Sequence, residues 1–219
     1  MPTHPVHTTP EGVEFYRTPE ACFDGIHFPF EPRYANIDGL RMHYVDENPG
    51  AEEVVVLLHG EPTWTYLYRN IIPGIAEAGF RVIAPDFIGF GKSDKPRRKT
   101  YFSYQKSVDQ LAELLFDKLS VDRVHLVAHD WGGLIGLRLV AQQPEKFASV
   151  VAMNTAFPRA EGYNYVFMLW QKLAHLVSYV PYRKLIPLGI YRKTQPEEMK
   201  GYDAPYPTRA LKVAPLVYP

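Results

Sequence analysis

Along much of the chain, short unbroken apolar runs alternate with segments of helical period. Val54-Val55-Val56-Leu57-Leu58 reads as a strand buried on both faces, as in a parallel sheet. A segment opening at Ser103 puts Val108, Leu111, Leu114, Leu115 and Leu119 on one helical face, with the serine as N-cap, and runs to about Leu119. Arg33 to Ile37 and Leu40 to Asp46 flank Asp38-Gly39, a dipeptide that predicts a hairpin. A helix is predicted from Tyr66 to Ala78, closed by Gly79. Strands are also predicted at Arg81 to Ala84, Arg123 to His129 and Ala148 to Met153, with a helix from Gly132 to Gln142. This βαβαβαβ alternation implies a mostly parallel sheet with helices on both faces. Residues 1–32 are rich in proline and lack a period, so they read as an irregular arm. The rhythm stops after Ala156. Phe157 to Pro219 holds aromatic amphipathic pieces such as Tyr163 to Tyr179 among many prolines, and reads as a helical lid over the ends of the sheet. Two regions are therefore expected, 1–156 and 157–219.

Composition narrows the function. The 24 Lys and Arg balance the 24 Asp and Glu, which argues against nucleic acid or an anionic membrane surface as partner. Cys22 is the one cysteine, so an intrachain disulfide and a cysteine-based zinc site are excluded. His125 and His129 lie about 13 Å apart on an extended strand, at about 3.3 Å per residue, too far for one ion. No apolar run approaches the roughly 18 residues of a membrane span. The N-terminus, with His4, Pro5 and His7, has no basic segment leading into an apolar core. A cytoplasmic protein is expected, with neither metal nor cofactor.

The chemistry centres on Ala128-His129-Asp130-Trp131-Gly132-Gly133, where a buried strand turns directly into a helix. Small residues flank Asp130 on both sides, as a tight nucleophile elbow requires, since bulky neighbours would collide with strand and helix. A carboxylate at the apex attacks carbon directly and forms an ester, with no base needed to activate it. The simpler alternative is that Asp130 only caps the following helix. The loop His59-Gly60-Glu61-Pro62-Thr63-Trp64 follows an earlier strand, a position that supplies one backbone N–H of an oxyanion hole. The amides of Glu61 and Trp131 are assigned to that hole. His59 is expected to tie the loop down, and Trp64 to pack behind it.

Three motifs together resemble the haloalkane dehalogenases: His59 to Trp64, Asp86-Phe87-Ile88-Gly89-Phe90-Gly91-Lys92-Ser93-Asp94, and His129 to Gly133. The similarity continues to Tyr202-Asp203-Ala204-Pro205-Tyr206-Pro207 and so covers nearly the whole chain. It implies an α/β-hydrolase fold with a helical cap. It also implies that Asp130 displaces halide from the carbon of a small apolar haloalkane, and that water then hydrolyses the ester to the alcohol. The halide would be held by indole N–H groups. Trp131 matches the first, and Trp170 is the candidate for the second. Asn154 stands where some relatives carry a catalytic Glu, which points to the branch whose acid is an Asp after a later strand. The chain stops at Tyr218-Pro219, where the family would return to the sheet, so the last strands, the acid and the final His base are expected to be missing. A sheet ending at its sixth strand would leave an edge open to self-association.

Two other readings compete. Epoxide hydrolases share the His-Gly-X-Pro and His-Asp-Trp-Gly elements and would use lid tyrosines, for which Tyr163, Tyr165, Tyr179, Tyr182 and Tyr191 are available. An inert fragment or binding module would keep the pocket without turnover.

Overall fold

In a computed structural model, which describes residues 4–156, 186–189 and 194–218, the Val54–Leu58 run is a strand buried at all five positions. Among the described residues the strands are β1 (His7–Thr8), β2 (Glu14–Tyr16), β3 (Arg33–Ile37), β4 (Leu40–Glu47), β5 (Val54–Leu58), β6 (Arg81–Pro85), β7 (Lys95–Pro96), β8 (Val124–His129) and β9 (Phe147–Met153). The α-helices are α1 (Ile72–Glu77), α2 (Tyr104–Ala112), α3 (Trp131–Gln142) and α4 (Pro196–Asp203).

The main sheet has the order β3-β4-β6-β5-β8-β9. Pairing is parallel from β6 through β9 and antiparallel where β4 meets β3 and β6. Alternate residues of a strand point to opposite faces, and β5 shows it clearly. Val54, Val56 and Leu58 join Val124, Leu126 and Ala128 of β8 under Val108 and Leu111 of α2 and Ile135 and Leu139 of α3. Val55 and Leu57 turn the other way, to Val45, Val82, Ala84, Tyr68 and Ile72. Helices thus cover both faces, as the pattern predicted. The Asp38-Gly39 hairpin forms with both residues at positive φ, 51° and 75°, and sets the β3–β4 register.

Three predicted elements differ in detail. The helix expected from Tyr66 to Ala78 divides into a 3-10 turn at Thr65–Tyr68 and α1. Pro73 is the reason: it has no N–H to bond back, so it belongs in a first turn and not an interior one. The helix after Ser103 is capped as predicted, the serine hydroxyl accepting from the Lys106 amide, but it passes into a π-helical turn at Glu113–Lys118. The arm is also not wholly irregular, because β1 and β2 form a small antiparallel sheet with β7. That pairing joins segments far apart in sequence, beyond the reach of local pattern.

Residues 194–218 pack on the core. Trp64 is fully buried and its indole donates to the Gly201 carbonyl of α4 at 2.9 Å, while Tyr206, Leu211, Ala214 and Tyr218 join the layer under α2 and α3. The predicted lid helix Tyr163 to Tyr179 lies outside the described residues. No described helix is long and apolar enough to cross a membrane.

Leu126 is 1% exposed at the centre of the layer beneath α3. Truncation in Leu126→Ala is expected to cost about 2–5 kcal/mol, read as a lowered urea midpoint without a changed slope.

Candidate active site

Where β8 passes into α3, Asp130 adopts φ 53° and ψ −123°, a conformation of sparse population for a residue with a side chain. Holding it costs about 1–3 kcal/mol, which the surroundings must supply. Its amide donates to the Met153 carbonyl at 3.3 Å, and its own carbonyl accepts from the amides of Gly133 (2.9 Å) and Leu134 (3.2 Å). The Thr155 hydroxyl donates to the same carbonyl at 2.7 Å. Thr155 was not singled out from the sequence; a hydroxyl just beyond the end of the neighbouring strand was the available signal.

The small flanking residues are required by space. A Cβ on Gly132 would lie 2.5 Å from the carbonyl oxygens of Leu58 and His59, and one on Gly133 would lie 2.3 Å from the Thr155 hydroxyl. At Gly60 an added Cβ would come within 2.3 Å of the Asp130 Cβ. Asp130 occupies the N-cap position of α3, yet its side chain makes no capping bond. Instead the Glu61 amide donates to Asp130 Oδ1 at 2.8 Å. The carboxylate is half-buried and faces the 59–64 loop.

That loop is fixed from beneath. His59 is 1% exposed; its Nδ1 donates to the Gly60 carbonyl at 3.0 Å and its Nε2 accepts from the Phe87 amide at 3.1 Å. Burial pushes its pKa down, and with both ring nitrogens engaged it is a neutral structural group. The Thr63 hydroxyl and amide close the turn onto the Gly60 carbonyl at 2.8 and 2.9 Å. The 86–94 loop is anchored by Asp86, which accepts from His43 Nδ1 and from the amides of Thr65 and Lys92 at 2.7, 2.7 and 2.9 Å. Burial opposes its charge, but His43 holds the carboxyl well below the usual range. The 86–94 motif is therefore scaffolding that locks His59 in place through Phe87.

Of the predicted site residues, the structure brings Asp130 and Glu61 into direct contact. The Trp131 amide makes no hydrogen bond to the carboxylate. Oxyanion-hole donors aim at where charge develops and not at the ground-state oxygen. The Trp131 ring is half-buried, edge-on to Tyr218 at 4.9 Å between centroids. Trp170 and the candidate tyrosines Tyr163, Tyr165, Tyr179, Tyr182 and Tyr191 lie outside the described residues. Asn154 sits just beyond β9, exposed and at φ 43°. The Glu61 carboxyl is pushed up to about 8, first by burial and then by the negative charge of Asp130.

Residues 53–180 match a family model described as alpha/beta hydrolase fold. A haloalkane dehalogenase of Mycobacterium marinum is 39% identical over 214 residues, spanning 94% of this chain and 72% of that protein. The chain belongs to the haloalkane dehalogenase family. A tetrameric haloalkane dehalogenase of Paraglaciecola agarilytica superimposes with a TM-score of 0.89 at 33% identity, covering 93% of this chain and 70% of that one. An epoxide hydrolase of Vigna radiata, at 32% identity, reaches a TM-score of 0.58 over 66% of this chain and 44% of its own. The dehalogenase match is closer and longer, so the epoxide reading is not favoured. Within the haloalkane dehalogenase family the described part of this chain carries the elbow, the loop opposite it and the scaffold of both.

The Gly60–Asp130 contact leaves no room for a methyl group. Gly60→Ala is expected to fold, with a circular dichroism spectrum close to the parent's, yet to displace the Asp130 carboxylate and lose at least about tenfold in halide release from bromoethane. That corresponds to about 1.4 kcal/mol of barrier.

Proposed function

We propose that the protein hydrolyses carbon–halogen bonds of small apolar haloalkanes, with Asp130 as nucleophile. The observation that carries this is the Asp130 carboxylate itself: raised on a strained turn, not used as a helix cap, and held through Oδ1 by the Glu61 amide. With Oδ1 so engaged, Oδ2 is the attacking atom. A C–O bond forms to the substrate carbon, the C–halogen bond breaks, and the halide leaves with the electron pair. Water then attacks the carbonyl carbon of the Asp130 ester, releasing the alcohol and restoring the carboxylate. The oxygen held by Glu61 is where negative charge gathers during that attack, and the Trp131 amide is proposed as its second donor. The indole N–H groups of Trp131 and Trp170 are proposed to receive the halide, since indole is a donor without acceptor character. None of these steps calls for a metal or cofactor.

Residues 157–219 are proposed as the cap over this site. Balanced charge and a single cysteine support a cytoplasmic location. Self-association is proposed through β9, the edge strand of the sheet among the described residues. Ala148 to Ala152 are exposed, Val150 and Val151 to 37% and 49%, and Phe147–Met153 carries neither charge nor proline to guard the edge. The tetrameric relative makes assembly a reasonable expectation.

Three measurements test these proposals. Exposure to bromoethane should add one ethyl group, located at Asp130 by peptide mapping, with release of bromide; Asp130→Asn should give neither. Trp131→Phe should slow bromide release by about 10²–10³-fold if its indole stabilises the leaving halide. A folded parent chain with no adduct and no bromide would support a pocket that binds without turnover. For assembly, Val151→Lys is expected to shift the light-scattering mass toward a smaller species, and an unchanged mass would remove β9 from the interface.

A further inference from the structure

The Trp131 indole opens α3 directly after Asp130, and among the described residues none accepts from its N–H. Ring contacts therefore set the direction in which that donor points. Two tyrosines supply them. Tyr104 lies 6.4 Å away between centroids at 67°, and Tyr218 lies 4.9 Å away at 82°. Such edge-to-face pairs have a preferred geometry, so one ring fixes the other only if it is itself fixed. Tyr104 is tethered to α3 and moves with it, its hydroxyl donating to the Leu134 carbonyl at 2.6 Å. Tyr218 is tethered to a different element. It is 5% exposed, and its hydroxyl is hydrogen-bonded to that of Ser107 on α2. Ser107 is buried in turn, and its hydroxyl donates to the Ser103 carbonyl one turn earlier at 3.3 Å. A serine hydroxyl has one proton, so with that proton given to Ser103 it accepts from Tyr218. Phe90 and Phe102, at 5.5 and 6.2 Å, confine the Tyr218 ring but cannot hold its hydroxyl. Among the described residues, Ser107 is the polar constraint on that side chain.

Resting on Trp131 as a halide donor, we propose that Tyr218 and Ser107 are positioning residues for the departing halide: the bond between their hydroxyls holds the Trp131 indole in the orientation that receives the ion. An N–H donor weakens steeply as it turns away from the line to its acceptor, and a monatomic anion offers a single point to aim at. Rotation of the indole therefore costs affinity for halide. Asp130 keeps its place meanwhile, because the Glu61 amide, Met153, Thr155 and the first turn of α3 hold it independently of either tyrosine. Neither hydroxyl touches substrate. Together they tie the halide donor to α2, a helix whose Val108 and Leu111 otherwise serve the core. Halide affinity is thus adjustable from α2 without altering any group that the halide or the haloalkane meets.

The test uses the full chain isotopically labelled on nitrogen, whose three tryptophans give three indole N–H resonances. Trp131→Phe identifies the Trp131 signal by its loss. Trp64, fully buried and bonded to the Gly201 carbonyl, serves as the internal standard of folding. Sodium bromide added to the parent at constant ionic strength is expected to move the Trp131 signal to saturation. In Ser107→Ala and in Tyr218→Phe that signal is expected to shift before any bromide is added, with the Trp64 signal in place. The bromide dissociation constant is expected to rise about three- to tenfold in each, the range of one lost hydrogen bond. The double variant is expected to be no weaker than the weaker single one, because both substitutions remove the same bond. Bromide affinity unchanged in both single variants overturns the proposal, as does a double variant weakened by the product of the two. Each substitution removes the bond alone, so either decides should the other fail to fold. A parent whose Trp131 signal ignores bromide, while bromoethane still labels Asp130, overturns Trp131 as halide donor and this inference with it, and leaves the nucleophile assignment standing.

Discussion

The distance at which β8, α3 and the 59–64 loop meet around Asp130 governs the rest of the structure. Gly132 lets the start of α3 lie against the carbonyls of Leu58 and His59, Gly133 admits Thr155, and Gly60 lets the loop touch the Asp130 side chain. Each contact is closer than a methyl group allows. The result is a carboxylate in a backbone conformation that would relax elsewhere, kept there by bonds to Met153, Thr155, Gly133 and Leu134 and by the layer packed beneath α3. Strain at the elbow and close packing under it are one arrangement.

A buried polar frame holds the loop side of that arrangement. Asp94 is fully buried and takes a bidentate pair from Arg17 at 2.8 and 2.9 Å, with the Arg41 amide at 2.9 Å. Lys95, 1% exposed, donates to the carbonyls of Gly91 and Ser93, and burial pushes its pKa down to about 7. Asp94 is the buried member of its pair and Arg17 the partly exposed one, so loss of Arg17 would strip a buried carboxylate of two donors. The frame tells in function because it ends at Phe87, whose amide fixes His59, which in turn holds the Gly60 carbonyl beside Glu61. A segment that reads as a motif for chemistry is the support of the segment that performs it.

Much of the fold was legible. The all-apolar β5, the Asp38-Gly39 turn, the Ser103 cap and the strand–helix passage at Asp130 are encoded within a few residues of one another, so local pattern reveals them. Pro73 was equally visible in the sequence, and it marks the first turn of α1 and not the interior of a helix running from Tyr66 to Ala78. The arm escaped because its strands owe their existence to β7 and not to their own period. Thr155 escaped because its importance lies in being opposite Asp130 across two strands.

By itself the sequence determined the residue types and their local order: an Asp between small neighbours after a buried strand, a Gly-Glu-Pro loop after another, and the alternation that sets them side by side in a parallel sheet. Those follow from period, turn chemistry and side-chain volume, which act over a few residues. Tertiary structure alone decided that the Asp130 carboxylate is not a helix cap, that His59 is spent on Gly60 and Phe87, and that the Glu61 amide is aimed at the Asp130 carboxylate. Hydrogen-bond direction, burial and charge coupling depend on distances of a few ångströms between segments tens of residues apart, and only the folded chain sets those distances.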